Sequence, residues 1–111
     1  MTNIEVIKRF LRGEQGQTAK RVLATGAEGR TLYTEGNKLI NYNTVIAELR
    51  GDTEGKELEV NATRYSKTTS KIQTELIRQA NQLRREGKQL FVVMSGSADR
   101  VEWLNKYVEK F

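Results

Sequence analysis

The sequence predicts a single α+β domain over residues 1–111: an antiparallel β-meander of four to five strands, preceded by an N-terminal helix and followed by a long basic helix, a further buried strand and a C-terminal helix. Three observations carry this. Short β-type runs alternate with turn residues between Ala19 and Asn61, apolar side chains recur at helical spacing over residues 69–87, and Gln89–Ser95 is a continuous apolar run. A chain of 111 residues can build one core but not two.

The elements follow in order. Thr2-Asn-Ile-Glu5 has the pattern of a capping box, and Ile4, Ile7, Phe10 and Leu11 then repeat as one face of a helix over residues 3–12, before Gly13. Glu14 to Thr18 is a polar linker. The runs KRVLAT, RTLYT, KLINY, TVIAELR and ELEVNATRY are separated by glycine-rich or Asn-containing turns, which gives the meander. Val45, Ala47 and Leu49 share one face by alternation, as do Leu58, Val60 and Ala62. The junction at Asn43 fits either a tight turn or one bulged strand. Residues 69–87 make a helix ended by Gly87, with Ile72, Leu76, Ile77, Ala80 and Leu83 on its apolar side. QLFVVMS predicts a buried strand. Ser97 then caps a last helix with Val101, Leu104 and Val108 inward and a second stripe of Trp103 and Tyr107. Strand 57–63, helix 69–87 and strand 89–95 form a crossover unit, with the helices on one face of the sheet.

Composition removes several classes of chemistry. The chain has no cysteine and no histidine, so disulfides, thiol nucleophiles, imidazole bases and the common zinc ligand sets are excluded. The reading carries no cofactor and no metal. No apolar run approaches the ~20 residues of a membrane span, and no signal-peptide pattern opens the chain, so the expectation is a cytoplasmic protein without a membrane partner.

Charge is concentrated. The net charge is +5, and Arg64 to Lys88 alone holds Arg64, Lys67, Lys71, Arg78, Arg84, Arg85 and Lys88 against Glu75 and Glu86. Outside that segment basic and acidic residues balance. Within it, RYSKTTSKIQ sets the hydroxyls of Ser66, Thr68, Thr69 and Ser70 among Lys67 and Lys71 at a helix start, where free N–H groups and the helix dipole favour anions. Arg64 adds a bidentate fork and Tyr65 a stacking ring. Lys71, Arg78 and Arg85 are spaced by seven and form one stripe about 21 Å long, opposite the apolar face. A helix cap followed by a solvated basic face gives the same pattern, as does a surface for an acidic protein partner. There are no glycines of a P-loop.

Weaker candidates are Ser95-Gly-Ser97, which fits an ordinary strand-to-helix turn, and Trp103/Tyr107, as core packing or an anchor for a partner. Glu35, Glu48, Glu57 and Glu59 read as solvent-facing acids. Nothing in this inventory asks for catalysis, so the expectation is a non-enzymatic protein.

LINYNTVIAELRG followed by EVNATRYSKTTSKIQ resembles a pattern in a family of small phage and mobile-element proteins. The positions that fit are Leu39, Ile40, Tyr42, Thr44, Ile46, Ala47, Asn61, Thr63, Tyr65, Ser66, Thr68, Thr69, Ser70 and Lys71, so the resemblance covers about a third of the chain. It implies a genomic setting and no mechanism. In that setting the expectation is an accessory protein acting on a nucleic-acid-handling machine, most concretely an anti-CRISPR-type inhibitor of a host nuclease or nucleoprotein. The alternatives are direct nucleic-acid binding and a self-assembling module that uses its sheet edge or Trp103 and Tyr107.

Overall fold

The computed structural model describes residues 1–19, 21–22, 28–51 and 55–110 and opens on helix α1 (Asn3–Leu11). The expected capping box is present. Thr2 Oγ1 accepts from the Glu5 N–H at 3.2 Å, and Glu5 Oε1 accepts from the Thr2 N–H at 3.4 Å. The buried stripe is Val6, Ile7, Phe10 and Leu11, whereas Ile4, expected inward, is 44% exposed. Ile4 lies about 90° round the helix from the centre of that stripe, which faces α2 and the sheet together.

The meander is β3 (Leu32–Glu35), β4 (Lys38–Asn41), β5 (Thr44–Gly51) and β6 (Lys56–Asn61), paired antiparallel in sequence order. A separate two-stranded ribbon pairs β1 (Arg21–Val22) with β2 (Glu28–Gly29). The rest of the KRVLAT run and residues 52–54 lie outside the described residues.

The Asn43 junction combines the two alternatives. Asn41 pairs with Thr44 across the two-residue loop Tyr42–Asn43, with Tyr42 at φ 56, and the register then shifts, so that Ile40 faces Val45 while Leu39 faces Ala47. Ile46 is the extra residue. The bulge brings both Ile46 and Ala47 into the core and turns Val45, expected inward, onto the far face at 39% exposure.

Helix α2 (Lys67–Arg85) crosses from β6 to β7 (Leu90–Ser95), which lies beside β6 in parallel. Its C-terminus is a Schellman motif: Gly87, at φ 89, donates to the Arg84 carbonyl, and Lys88 donates to that of Leu83. Strand β7 forms where the apolar run predicts it, at the edge of the order β3-β4-β5-β6-β7. Its burial is one-sided: Leu90 is buried, and Val92 and Met94 pack against the core, while Phe91 and Val93 face away from it. Helix α3 (Ala98–Asn105) is shorter than expected. Leu104 is buried, but Tyr107 and Val108 fall in the turns beyond its end, and Ser97 holds the N-cap position without a side-chain bond.

The core lies between one face of the sheet (Leu32, Leu39, Ala47, Leu49, Leu58, Val60, Leu90) and the inner sides of the helices (Ile7, Phe10, Ile72, Leu76, Ile77, Leu104). No helix among the described residues is long and apolar enough to cross a membrane.

Candidate functional site

The start of α2 divides its hydroxyls between structure and surface. Ser66 is the N-cap, and its Oγ accepts from the Thr69 N–H at 3.1 Å. Thr69 is buried and donates to Asn41 Oδ1 at 2.7 Å, while Asn41 Nδ2 donates to the Thr31 carbonyl at 2.8 Å. Ser70 Oγ accepts from Arg100 Nη2 at 3.3 Å. Thr68 remains on the surface with no hydrogen-bond partner among the described residues. The opening half of the motif is therefore a cap locked to β4, and Thr68, Lys67 and Arg64 are its exposed donors.

Arg100, which sequence reasoning missed, joins α3 to this corner. Its Nε donates to the Ala62 carbonyl at 3.0 Å, its Nη2 reaches Gln73 Oε1 at 3.2 Å, and its guanidinium lies 4.0 Å from the Trp103 ring centroid. Gln73, fully buried, donates to the carbonyls of Asn61 and Thr63 at 2.7 and 3.0 Å. Tyr65 is tethered by Asn61 Nδ2 at 2.9 Å to its hydroxyl, and half its surface is open. Trp103 packs against the core and meets Tyr107 edge to face at 5.4 Å.

Along α2 the predicted stripe holds in part. Lys71 is exposed beside the start of α1, and Arg78 is exposed with Glu75 at 3.4 Å. Arg85 is committed elsewhere: its guanidinium forks onto the Glu109 carboxylate, Nε at 2.9 Å, and Nη1 takes Gln82 Oε1 at 3.1 Å. The geometry adds cations that spacing along one helix cannot reveal. Because α1 runs alongside α2, Lys8 and Arg12 face Arg78, Arg85 and Lys88 across an open groove of about 1120 Å³, with Glu75, Glu86 and Glu109 among its walls. Arg12 is bridged to Glu14 at 3.0 Å. Lys8, Lys71 and Lys88 have no ion-pair partner among the described residues.

The acids on the opposite face of the sheet do converge, but on an arginine. Arg50 bonds Glu57 at 3.2 Å and Glu48 at 3.4 Å, and also Glu59. That contact holds the Glu48 carboxyl below the usual carboxylate range. Ser95 and Gly96 sit against the β6–α2 loop. A Cβ on Gly96, at φ 124, would lie 3.1 Å from the Thr63 nitrogen, so glycine is required for the close approach.

No protein-family model, curated protein or solved structure matches the chain.

Proposed function

We propose that the protein is a non-enzymatic accessory protein that binds a polyanionic partner through the cationic side of α2 and the adjoining end of α1. The observation that carries this reading is that Lys8 and Lys88 meet Arg78 around one groove, continued by exposed Lys71. These cations are in excess of the Glu75, Glu86 and Glu109 carboxylates there, while Arg12 and Arg85 are paired with Glu14 and Glu109. Outside Arg64 to Lys88 basic and acidic residues balance, so the segment that supplies Lys71, Arg78, Arg85 and Lys88 to this surface is the source of the net positive charge that would steer an anion. Thr68, Lys67 and Arg64 extend it past the helix start, and the half-open Tyr65 ring offers a stacking surface there.

Together with the resemblance to phage and mobile-element proteins, the concrete form of the reading is an inhibitor of a host nucleic-acid-handling nuclease, acting in the host cytoplasm on its bound nucleic acid or an acidic protein surface. Direct binding to nucleic acid is the second reading, favoured by the length of the cationic track. Fluorescence anisotropy with labelled single-stranded DNA, duplex DNA and structured RNA separates them. Direct binding predicts an affinity that falls with salt at a log–log slope of roughly −0.7 to −0.9 per phosphate contact. Lys71→Glu with Arg78→Glu removes two exposed cations without touching the core, so binding is lost while helical circular dichroism stays unchanged. Unaltered binding by that double variant, to nucleic acid or to a captured nuclease, overturns the cationic-face reading.

A further inference from the structure

The two edges of the five-stranded sheet are finished differently. At the β3 edge, Thr18 donates to the Leu32 carbonyl and Thr34 donates to that of Gly16, both at 2.9 Å, so residues 16–18 cover the strand. At the β7 edge nothing among the described residues does so. The carbonyls of Gln89 and Ser95 accept from Lys56 and Ala62 of the β6 side. By the two-residue alternation of a strand, Phe91 and Val93 also bond inward, and Leu90, Val92 and Met94 present their N–H and C=O groups outward. The strand has no charge, no proline and no bulge, the devices that normally protect an edge. Phe91 is 65% exposed and Val93 is 42% exposed, side by side on the face that no helix among the described residues covers.

We infer that β7 is a self-pairing edge: two copies of this chain join β7 to β7 antiparallel, about a two-fold axis at Val92, into one continuous sheet. This inference stands apart from the anion-binding reading. With the axis at Val92, the outward-bonding residues meet as Val92 with Val92 and Leu90 with Met94 of the second copy. That register sets Phe91 directly opposite Val93 of the second copy, twice over, an aromatic against a β-branched side chain in the close, non-hydrogen-bonded positions. The most exposed large apolar side chains of the strand thus cover each other. Charge selects the same orientation. Exposed Lys88 precedes the strand and exposed Asp99 follows it, and neither has an ion-pair partner among the described residues. An antiparallel copy brings Lys88 level with Gly96 of its neighbour, about one turn from that neighbour's Asp99, whereas a parallel copy would set lysine beside lysine. A single strand pair is a small contact, below roughly 1,200 Å², so the dimer is a weak, reversible one.

Sedimentation equilibrium of the full chain tests this. Self-association to a dimer at micromolar to sub-millimolar concentration is expected, with Val93→Lys weakening it about tenfold or more. Val93 is outside the core, so circular dichroism and the thermal transition of that variant stay close to those of the parent. Register is tested by Val92→Cys, since the chain has no other cysteine. Paired Val92 positions would have Cα atoms about 5.5 Å apart, which suits a disulfide. This variant forms a covalent dimer under mild oxidant, and Val45→Cys, on the opposite face of the sheet and away from the edge, does not. A strict monomer throughout the concentration range overturns the inference. So does a dimer that Val93→Lys leaves intact, or one in which Val92→Cys fails to cross-link.

Discussion

Thr69 lies among hydroxyls that suggest an anion cradle, yet its own hydroxyl is turned inward to Asn41, a residue of β4 that is itself 2% exposed. The distinction matters for mutagenesis. Thr69→Val keeps the shape and removes the O–H donor, so Asn41 Oδ1 loses its partner inside the protein. A buried acceptor left unsatisfied costs about 1–3 kcal/mol, and urea denaturation of Thr69→Val should show a loss of that size. Thr68→Val, one position earlier and exposed, should stay within about 0.5 kcal/mol of the parent. If the surface half of the motif binds an anion, Thr68→Val lowers affinity where Thr69→Val lowers stability. The sequence could not make this split, because the partner that captures Thr69 is 28 residues away on another element. Ser66 as cap and Thr68 as a surface hydroxyl were both within the segment singled out, and their different fates depend on where β4 runs.

Helix α2 was legible because its apolar residues repeat over about five turns and Gly87 follows, although the structure begins and ends it two residues earlier than the periodicity suggests. Its ending makes a clean test. Gly87 has φ 89 and nothing within 4 Å of where a Cβ would stand, so Gly87→Ala adds no clash and only forces alanine into a left-handed conformation. A loss of about 1–2 kcal/mol in thermal or urea unfolding is expected, and Gly87→Asn should recover part of it. The strands were legible through their turns, but two of their properties were not. Val45, Ile46 and Ala47 are all apolar, so alternation can be counted in either phase, and the bulge that decides between them leaves no mark on composition. The apolar run of β7 fits a strand covered on both faces, whereas its edge position follows from the order in which strands assemble. The groove was half legible for the same kind of reason: spacing reveals a stripe on α2, but the cations of α1 join it only through packing between helices.

At the scale of the whole molecule, charge governs the response to acid. At neutral pH the 19 lysines and arginines are offset by 14 carboxylates, leaving +5, and Arg50 is surrounded by Glu48, Glu57 and Glu59. The Glu48 carboxyl is lowered chiefly by its bond from Arg50, and that of Glu5 chiefly by the Thr2 backbone N–H at the start of α1. A carboxyl with a lowered folded-state pKa contributes its stability in full above its unfolded value and loses it as pH falls through the folded one. Protonation also strips the counter-charges from 19 cations, seven of which lie in the segment from Arg64 to Lys88. The two losses differ in their dependence on salt. Repulsion among exposed cations is screened once the Debye length falls to a few ångströms, but a proton on Glu48 removes the carboxylate that Arg50 binds whatever the ionic strength. The melting temperature should therefore be nearly flat from about pH 8 to pH 5 and fall below about pH 4. Added salt should recover a part of that fall, and more of it than salt changes stability at neutral pH. Differential scanning calorimetry at low and high salt, on the parent and on Arg50→Met, reads both parts. The variant should lose stability at neutral pH and show a shallower acid limb, because Glu48 then titrates closer to its unfolded value. An acid limb unchanged by Arg50→Met would mean that the carboxylates around Arg50 contribute nothing to the acid response, and that repulsion among the cations and other ionisations account for it.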